Sequence, residues 1–239
     1  MKVNFDNLNL QIGSENIERI GDDCKTKYFK FVGHRLDEHL QWDHHISHVH
    51  GKLASANYAI AQTKNYLPLN IRLTLYNSIF RSHMEFGILA WGGIALNKLK
   101  KITNLQKKCV RNVANKMYRS HSDPIFSKLG ILKFDDIFKL NCSLFIHKYM
   151  NAKLPDSFEN VFTPLTGSNR TNSLQVDITK SKSLSSFPTD FLPKVWNANS
   201  LHLKNITSLN SFKNNLKQSI LSSYSAAVKC NSPTCPDCK

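Results

Sequence analysis

The chain has 239 residues, 41% of them hydrophobic and 10% aromatic, so it can bury a sizeable core, and wholesale disorder is excluded. Its 32 lysines and arginines outnumber 17 aspartates and glutamates, and the formal charge of +15 favours a polyanionic partner: DNA, RNA or an anionic membrane surface. No window approaches the roughly 18 consecutive apolar residues of a membrane span, and the N-terminus lacks the apolar core of a signal peptide. We therefore expect an intracellular protein without a membrane span.

Short β-strand patterns open the chain. Leu8, Leu10 and Ile12 alternate with polar residues, and Gly13 and Ser14 supply a turn. Residues 28–32 form a further β-rich run. The economical interpretation is a small antiparallel β segment at the N-terminus, followed by a mainly helical chain, which gives an α+β fold class.

The first two helices are bounded by prolines and glycines. The first predicted helix follows Trp42 and ends before Pro68, because proline disfavours the helical conformation of its predecessor. The second begins near Pro68, extends to Phe80 and leads into an apolar run through Trp91 that paired glycines close. We expect both tryptophans to be buried.

The third predicted helix, about Leu96 to Tyr118, is the clearest amphipathic element. One stripe at helical spacing contains Ile102, Leu105, Gln106, Cys109, Val110, Val113 and Met117. The opposite face carries Lys100, Lys101, Lys107, Lys108 and Arg111, and no acidic residue interrupts it. A merely solvated lysine face is common on surface helices, but the uninterrupted charge favours a binding surface.

Capping residues predict two further helices. Ser122 is expected to cap a short helix that Gly130 closes. Asp135 or Asp136 is expected to open a longer helix that ends before Pro155.

The C-terminal third has a different composition. Residues 163–186 are rich in Ser, Thr, Asn and Lys, which is typical of a linker or an irregular β segment. A last amphipathic helix should begin at a Ser208 cap and dock on Trp196.

Residues 30–46 combine a β-rich run, a glycine turn and a helix start behind a tryptophan, in the order K-F-V-G-H-R-L-D-E-H-L-Q-W-D-H-H-I. Further fragments follow, among them L-Q-K-K at 105–108 and D-P at 123–124, and L-P-K-V-W-N stands at 192–197. This ordered series resembles the reverse transcriptases of jockey-like non-LTR retrotransposons, whose corresponding unit reads K-F-L-G, then D, then L-x-W-x-x-H-I. Val32 stands where leucine is usual, and the resemblance covers roughly residues 28–162.

The resemblance implies a division of the chain. Residues 1–41 would hold the primer-grip β-hairpin, a remnant of the palm, and residues 42–162 a helical thumb-like domain. Residues 163–229 would form a C-terminal extension and residues 230–239 a cysteine-containing tail. Phe31, Val32 and Gly33 would approach the primer end, and the cations of the third helix would neutralise phosphates of a primer-template duplex.

The intact relatives are RNA-directed DNA polymerases that use Mg²⁺, and such catalysis needs carboxylates that hold two metal ions about 3.5–4 Å apart. Asp22 and Asp23 are adjacent, but they lie shortly before Phe31 in a polar stretch, whereas the family's aspartate pair lies far upstream of this motif. Asp6 is the only earlier aspartate. We therefore expect a truncated fragment without catalytic residues, its palm and fingers missing. The alternative is a non-catalytic helical interaction protein, or a decayed element product without retained function.

Two groups of residues have the spacing of metal ligands. His44 and His48 have the i, i+4 spacing of metal ligands, but no local Glu or Cys joins them, so we expect no metal there. Cys230, Cys235 and Cys238 have the compact spacing of a structural zinc site but lack a fourth ligand, so zinc is possible but not expected. The other cysteines, Cys24, Cys109 and Cys142, are expected to be reduced core thiols.

Overall fold

The fold is mainly α-helical with a small antiparallel β segment near the N-terminus, as the sequence predicts. The computed structural model describes residues 11–12, 14–16, 20–21, 24–165, 172–176 and 187–226. Contacts divide the chain into two compact units, residues 1–47 and 48–239. None of the described helices combines the length and the apolar composition needed to span a membrane.

Two hairpins form the β structure of the first unit. The paired strands are β1 (Gln11–Ile12) with β2 (Glu15–Asn16), and β3 (Phe29–Phe31) with β4 (His34–Leu36). The two-residue loop of the second hairpin has positive φ at both positions, 45° at Val32 and 80° at Gly33, as a type I′ turn requires. A β-branched residue in this conformation costs about 1–2 kcal/mol, so Val32 is a strained position.

The Asp37 side chain binds the backbone just before the first helix, α1 (Asp43–Thr63). The two carboxylate oxygens of Asp37 accept hydrogen bonds from the backbone N–H groups of Gln41 and Trp42, each at 2.7 Å. Trp42 is buried, as predicted, and its indole packs against the His45 ring with 5.7 Å between the centroids. The turn and its cap therefore hold the tryptophan inside the first unit.

The second predicted helix is three consecutive helical segments. They are α2 (Leu69–Leu75), a π-helix (Tyr76–Arg81) and α3 (Ser82–Glu85). Gly87, with φ of 58°, then turns the chain into α4 (Ile88–Trp91). Trp91 is fully buried, which confirms the prediction, and its Nε1 donates to the Phe86 carbonyl at 3.0 Å.

Paired glycines allow a close approach after α4. A Cβ atom at Gly92 would lie 2.6 Å from the Phe138 ring, and one at Gly93 would lie 2.4 Å from the Phe191 ring. These two phenyl rings pack on each other with 5.1 Å between their centroids. Glycine is therefore required because side chains of two later helices occupy the space.

Helix α5 (Leu96–Val113) ends five residues earlier than the sequence predicts. Asn115 adopts a left-handed conformation, and the N–H of Lys116 donates to the Arg111 carbonyl at 2.9 Å, which together form a Schellman cap. The prediction that Met117 belongs to the apolar stripe is wrong, because it lies beyond this cap and is 71% exposed. The remaining stripe residues are buried.

Gln106, at the centre of the buried stripe, joins three segments. Its Nε2 donates to the Tyr76 hydroxyl at 3.0 Å and to the Leu132 carbonyl at 2.9 Å. Its Oε1 accepts from the Phe134 N–H at 2.8 Å. One buried amide thus connects α5 to the π-helix and to the chain that enters the next long helix.

The helices α6 (Ser122–Leu129) and α7 (Phe134–Met150) correspond to the predicted pair, but their capping differs. Gly130 closes α6 in a left-handed conformation, as predicted. Ser122 is not a cap, because it lies inside the helix and is buried, and His121 takes the N-cap position. Asp135 and Asp136 lie in the first turn of α7, so the prediction that one of them caps it is wrong.

The C-terminal helices pack on this body. They are α8 (Pro188–Asn197), α9 (Leu201–Lys204) and α10 (Leu209–Ala226), and a 3-10 turn (Asp156–Phe158) precedes them. Ser208 caps α10, accepting a hydrogen bond from the Ser211 N–H, and Phe212 packs on Trp196 at 5.8 Å, which confirms the predicted docking. The Tyr224 hydroxyl donates to the Asp136 carboxylate, so α10 is also fixed at the start of α7.

Candidate nucleic-acid interface

The predicted cationic face of α5 exists as an exposed surface in the second unit. Lys100, Lys101 and Lys108 are exposed and Lys107 is half-buried. In the part of the chain that the structure describes, none of these four lysines forms an ion pair. The surface formed by these four lysines and Arg111 is called the α5 ridge below.

Arg111 has a second role that sequence reasoning missed. Its Nε donates a hydrogen bond to the Ser120 carbonyl at 2.6 Å, and the residue is half-buried. The guanidinium therefore holds the loop after α5 against the helix while it adds positive charge at the end of the ridge. The lysines remain the freely accessible cations.

The length of the α5 ridge is comparable with several nucleotides. At 1.5 Å per residue, the helix rises roughly 16 Å between Lys100 and Arg111. A single strand of B-form DNA places a phosphate about every 3.4 Å along its axis, so roughly five phosphates fall within this length. Flexible lysine side chains can neutralise such phosphates without reading the bases.

The predicted primer-approaching residues lie at the tip of the β3–β4 hairpin in the first unit. Phe31 is 57% exposed and Val32 72% exposed. Phe29 and Phe31 project from the same side of β3, and their rings stack with 6.4 Å between the centroids. The tip thus presents apolar and aromatic surface beside Gly33, whose missing side chain allows close approach to the backbone.

A basic groove beside this hairpin was missed by sequence reasoning. It has a volume of about 580 Å³ and is lined by Ile20, Lys25, Thr26, Lys27, Tyr28, Phe29, Lys30 and His44. Lysines alternating with aromatic rings are typical of surfaces that bind single-stranded nucleic acid, because the cations follow the backbone and the rings stack on bases. The K-T-K-Y-F-K run at 25–30 could have indicated this groove.

Of the metal candidates, only His44 and His48 lie in the described residues. There, no three His, Cys, Asp or Glu side chains gather as a metal site would require. His44 lies against the Tyr28 ring at 5.3 Å. Cys230, Cys235 and Cys238 lie outside the described residues, so the zinc site stays a prediction.

Two of the described cysteines lie in the core, and Asp136 is engaged by neighbouring side chains. Cys109 and Cys142 are fully buried, and burial raises the pKa of both thiols, whereas Cys24 is only half-buried. Asp136 accepts from Tyr224 and pairs with Lys139 at 3.3 Å. The aspartates weighed for catalysis, at positions 6, 22 and 23, lie outside the described residues.

Comparison with known proteins gives a partial relative. Over 112 residues the chain is 28% identical to the RNA-directed DNA polymerase from mobile element jockey of Drosophila melanogaster. The match covers 45% of this chain and only 12% of the length of that curated relative. No protein-family profile matches the sequence, and no solved structure does. The similarity supports a relation of this chain to the reverse transcriptases of retrotransposons.

Proposed function

We propose that this chain is the post-palm region of a retrotransposon reverse transcriptase and that it binds the backbone of a primer-template duplex. The observation that carries the proposal is the α5 ridge, where four lysines that have no acidic partner among the described residues lie on one helix. The similarity to a polymerase of a mobile element supports nucleic acid, rather than an acidic protein, as the polyanion.

Within this proposal, successive segments of the chain have different roles. Residues 1–41 contain the primer-grip hairpin, whose tip of Phe31, Val32 and Gly33 contacts the primer end. Residues 42–162 form the thumb-like domain, in which the α5 ridge neutralises phosphates. Residues 163–229 are the C-terminal extension, whose last helix stabilises the start of α7 through Tyr224.

The 239 residues by themselves are proposed to be catalytically inactive. The adjacent Asp22 and Asp23 lie only a few residues before the primer-grip motif, whereas the resemblance places the family's metal-binding pair far upstream. Purified protein should therefore give no primer extension on poly(rA)-oligo(dT) with Mg²⁺ or Mn²⁺. Template-dependent incorporation that persists after contaminating polymerases are removed would refute this part of the proposal.

Binding is tested with two variants of equal charge. Changing Lys101, Lys107 and Lys108 to glutamine removes three ridge cations, and changing Lys148, Lys153 and Lys213 to glutamine removes three exposed lysines elsewhere. Fluorescence anisotropy at low salt, on RNA–DNA duplexes of two unrelated sequences, should show at least about tenfold weaker binding for the ridge variant on both sequences. The control variant should bind nearly as well as the wild type.

The same assay separates the proposal from its alternative. Equal losses in both variants would mean that net charge, not the ridge, attracts the duplex. No measurable binding by the folded wild type at low salt would favour a helical interaction protein or a relic without function.

A further inference from the structure

A small cavity in the second unit lies between the π-helix, the segment after α6 and helix α10. Its volume is about 170 Å³. The residues that matter for its chemistry are Tyr76, Asn77 and Arg81 of the π-helix, Gly130 and Ile131 of the loop, and Lys217 of α10. This cavity is separate from the α5 ridge and from the basic groove, since it shares no lining residue with either.

The lining carries two positive charges and, among its described residues, no carboxylate. Arg81 uses Nη2 to bind the Glu85 carboxylate at 2.8 Å, while its buried Nε has no acceptor in the described residues. Lys217 is half-buried and forms no ion pair in the described part of the chain. Glu85 already offsets the charge of Arg81, so the charge without a counter-ion in the described residues is that of Lys217, and the buried Nε of Arg81 is a donor that an anion in the cavity could use.

The cavity volume limits the size of an anion that could bind there. A cavity of about 150 Å³ can hold benzene, a ligand of six heavy atoms, whereas sites for drug-sized ligands occupy about 300–1,000 Å³. A tetrahedral oxyanion of five heavy atoms therefore fits, but a complete nucleoside does not.

The backbone conformation points to the same place. Three of the lining residues belong to the six-residue π-helix Tyr76–Arg81, a conformation that is rare and occurs frequently at functional sites. In this π-helix the Asn77 side chain is held by a hydrogen bond from Nδ2 to the Leu73 carbonyl at 3.0 Å. One amide proton of Asn77 is thus used, and the charged donors that line the cavity are Arg81 and Lys217.

We propose that this cavity binds a phosphate group between Arg81 and Lys217. Both side chains donate charge-assisted hydrogen bonds to its oxygens. The group is either free inorganic phosphate or the terminal phosphate of an oligonucleotide, which share the same chemistry. The proposal does not rest on duplex binding by the α5 ridge.

The test is an amide chemical-shift titration of the full chain with inorganic phosphate against sodium chloride at matched ionic strength. The Gly130 amide reports on the cavity, and the Gly51 amide, far along the chain in α1, reports on general salt effects. We expect saturable movement of Gly130 and none of Gly51. Lys217→Gln should raise the Kd for phosphate about tenfold, because one charge-assisted hydrogen bond is lost. Lys213→Gln, an exposed lysine one turn earlier in α10 and outside the lining, is the matched control.

A second arm identifies the source of the phosphate. A short oligonucleotide with a 5′-phosphate is compared with the same oligonucleotide ending in a hydroxyl, and tighter binding of the phosphorylated form at Gly130 assigns a chain end. Equal behaviour of the two, together with saturation by inorganic phosphate, assigns the free ion. The absence of a saturable Gly130 shift, or equal weakening by the Lys213 and Lys217 changes, would overturn the proposal.

Discussion

Replacing Gln106 by leucine should destabilise the second unit strongly although the two side chains have similar volumes. The amide makes three buried hydrogen bonds, to the Tyr76 hydroxyl, the Leu132 carbonyl and the Phe134 N–H, with lengths of 2.8–3.0 Å. Because leucine fills the same space, the stability is lost through the missing hydrogen bonds and not through a cavity. These polar groups lose their partner inside the buried core.

The magnitude follows from the buried groups left behind. Each unsatisfied buried polar group costs about 1–3 kcal/mol, and the added apolar surface of leucine returns about 1–2 kcal/mol. Three such groups cost about 3–9 kcal/mol in total, so the free energy of unfolding should fall by about 1–8 kcal/mol. Changing Tyr76 to phenylalanine removes only the hydroxyl and should cost about 1 kcal/mol, and a double-mutant cycle with the leucine variant isolates the Gln106–Tyr76 bond.

Urea unfolding followed by far-UV circular dichroism measures these changes. The matched control is Asn104→Leu, which replaces an exposed amide on the same helix and should change stability by no more than about 0.5 kcal/mol. A loss of less than about 1 kcal/mol in the Gln106 variant, with an unchanged m-value, would refute the assigned role of this amide.

Three further predictions concern backbone and thiols. Gly93→Ala should lower the free energy of unfolding, measured in urea, by about 1–3 kcal/mol, because the added Cβ meets the Phe191 ring. Gly51→Ala should raise it by about 0.5–1 kcal/mol, because Gly51 lies in a helix and its Cβ would have no atom within 4 Å. A change of the same sign in both variants would contradict the packing. Val32→Asn should relieve the strained turn and increase amide-exchange protection in the β3–β4 hairpin, and reduced protection would show that valine is not strained. Burial raises the pKa of the Cys109 and Cys142 thiols, so mass-spectrometric mapping after alkylation at pH 8 should find Cys24 modified before either of them. Modification of Cys109 or Cys142 before Cys24 would contradict the burial.

The sequence predicted the features that depend on periodicity. The apolar stripe and the lysine face of α5 follow from spacing alone, and so does the packing of Phe212 on Trp196. The two faces of α5 are readable because they need only the geometry of a single helix, and the docking of α10 follows because its apolar side has to be buried.

Features that depend on tertiary contacts could not be read from the pattern. The early end of α5 depends on Asn115 taking a left-handed conformation, which asparagine adopts only in some contexts. Gln106 fits an apolar stripe by position, but its three partners come from distant parts of the chain. No sequence pattern distinguishes the π-helix Tyr76–Arg81 from an ordinary α-helix, so the cavity lined by Arg81 and Lys217 could not be predicted.

The salt dependence of duplex binding tests the central claim most directly. Four lysines and a partly engaged Arg111 predict a slope of log K against log[salt] of about −4, since each neutralised phosphate contributes about −0.9 on B-form DNA. Changing Lys101, Lys107 and Lys108 to glutamine should flatten the slope by about 2 to 3 units. The Lys148, Lys153 and Lys213 variant should keep it. An unchanged slope in the folded ridge variant would contradict the account, because the phosphates would then lie on another surface.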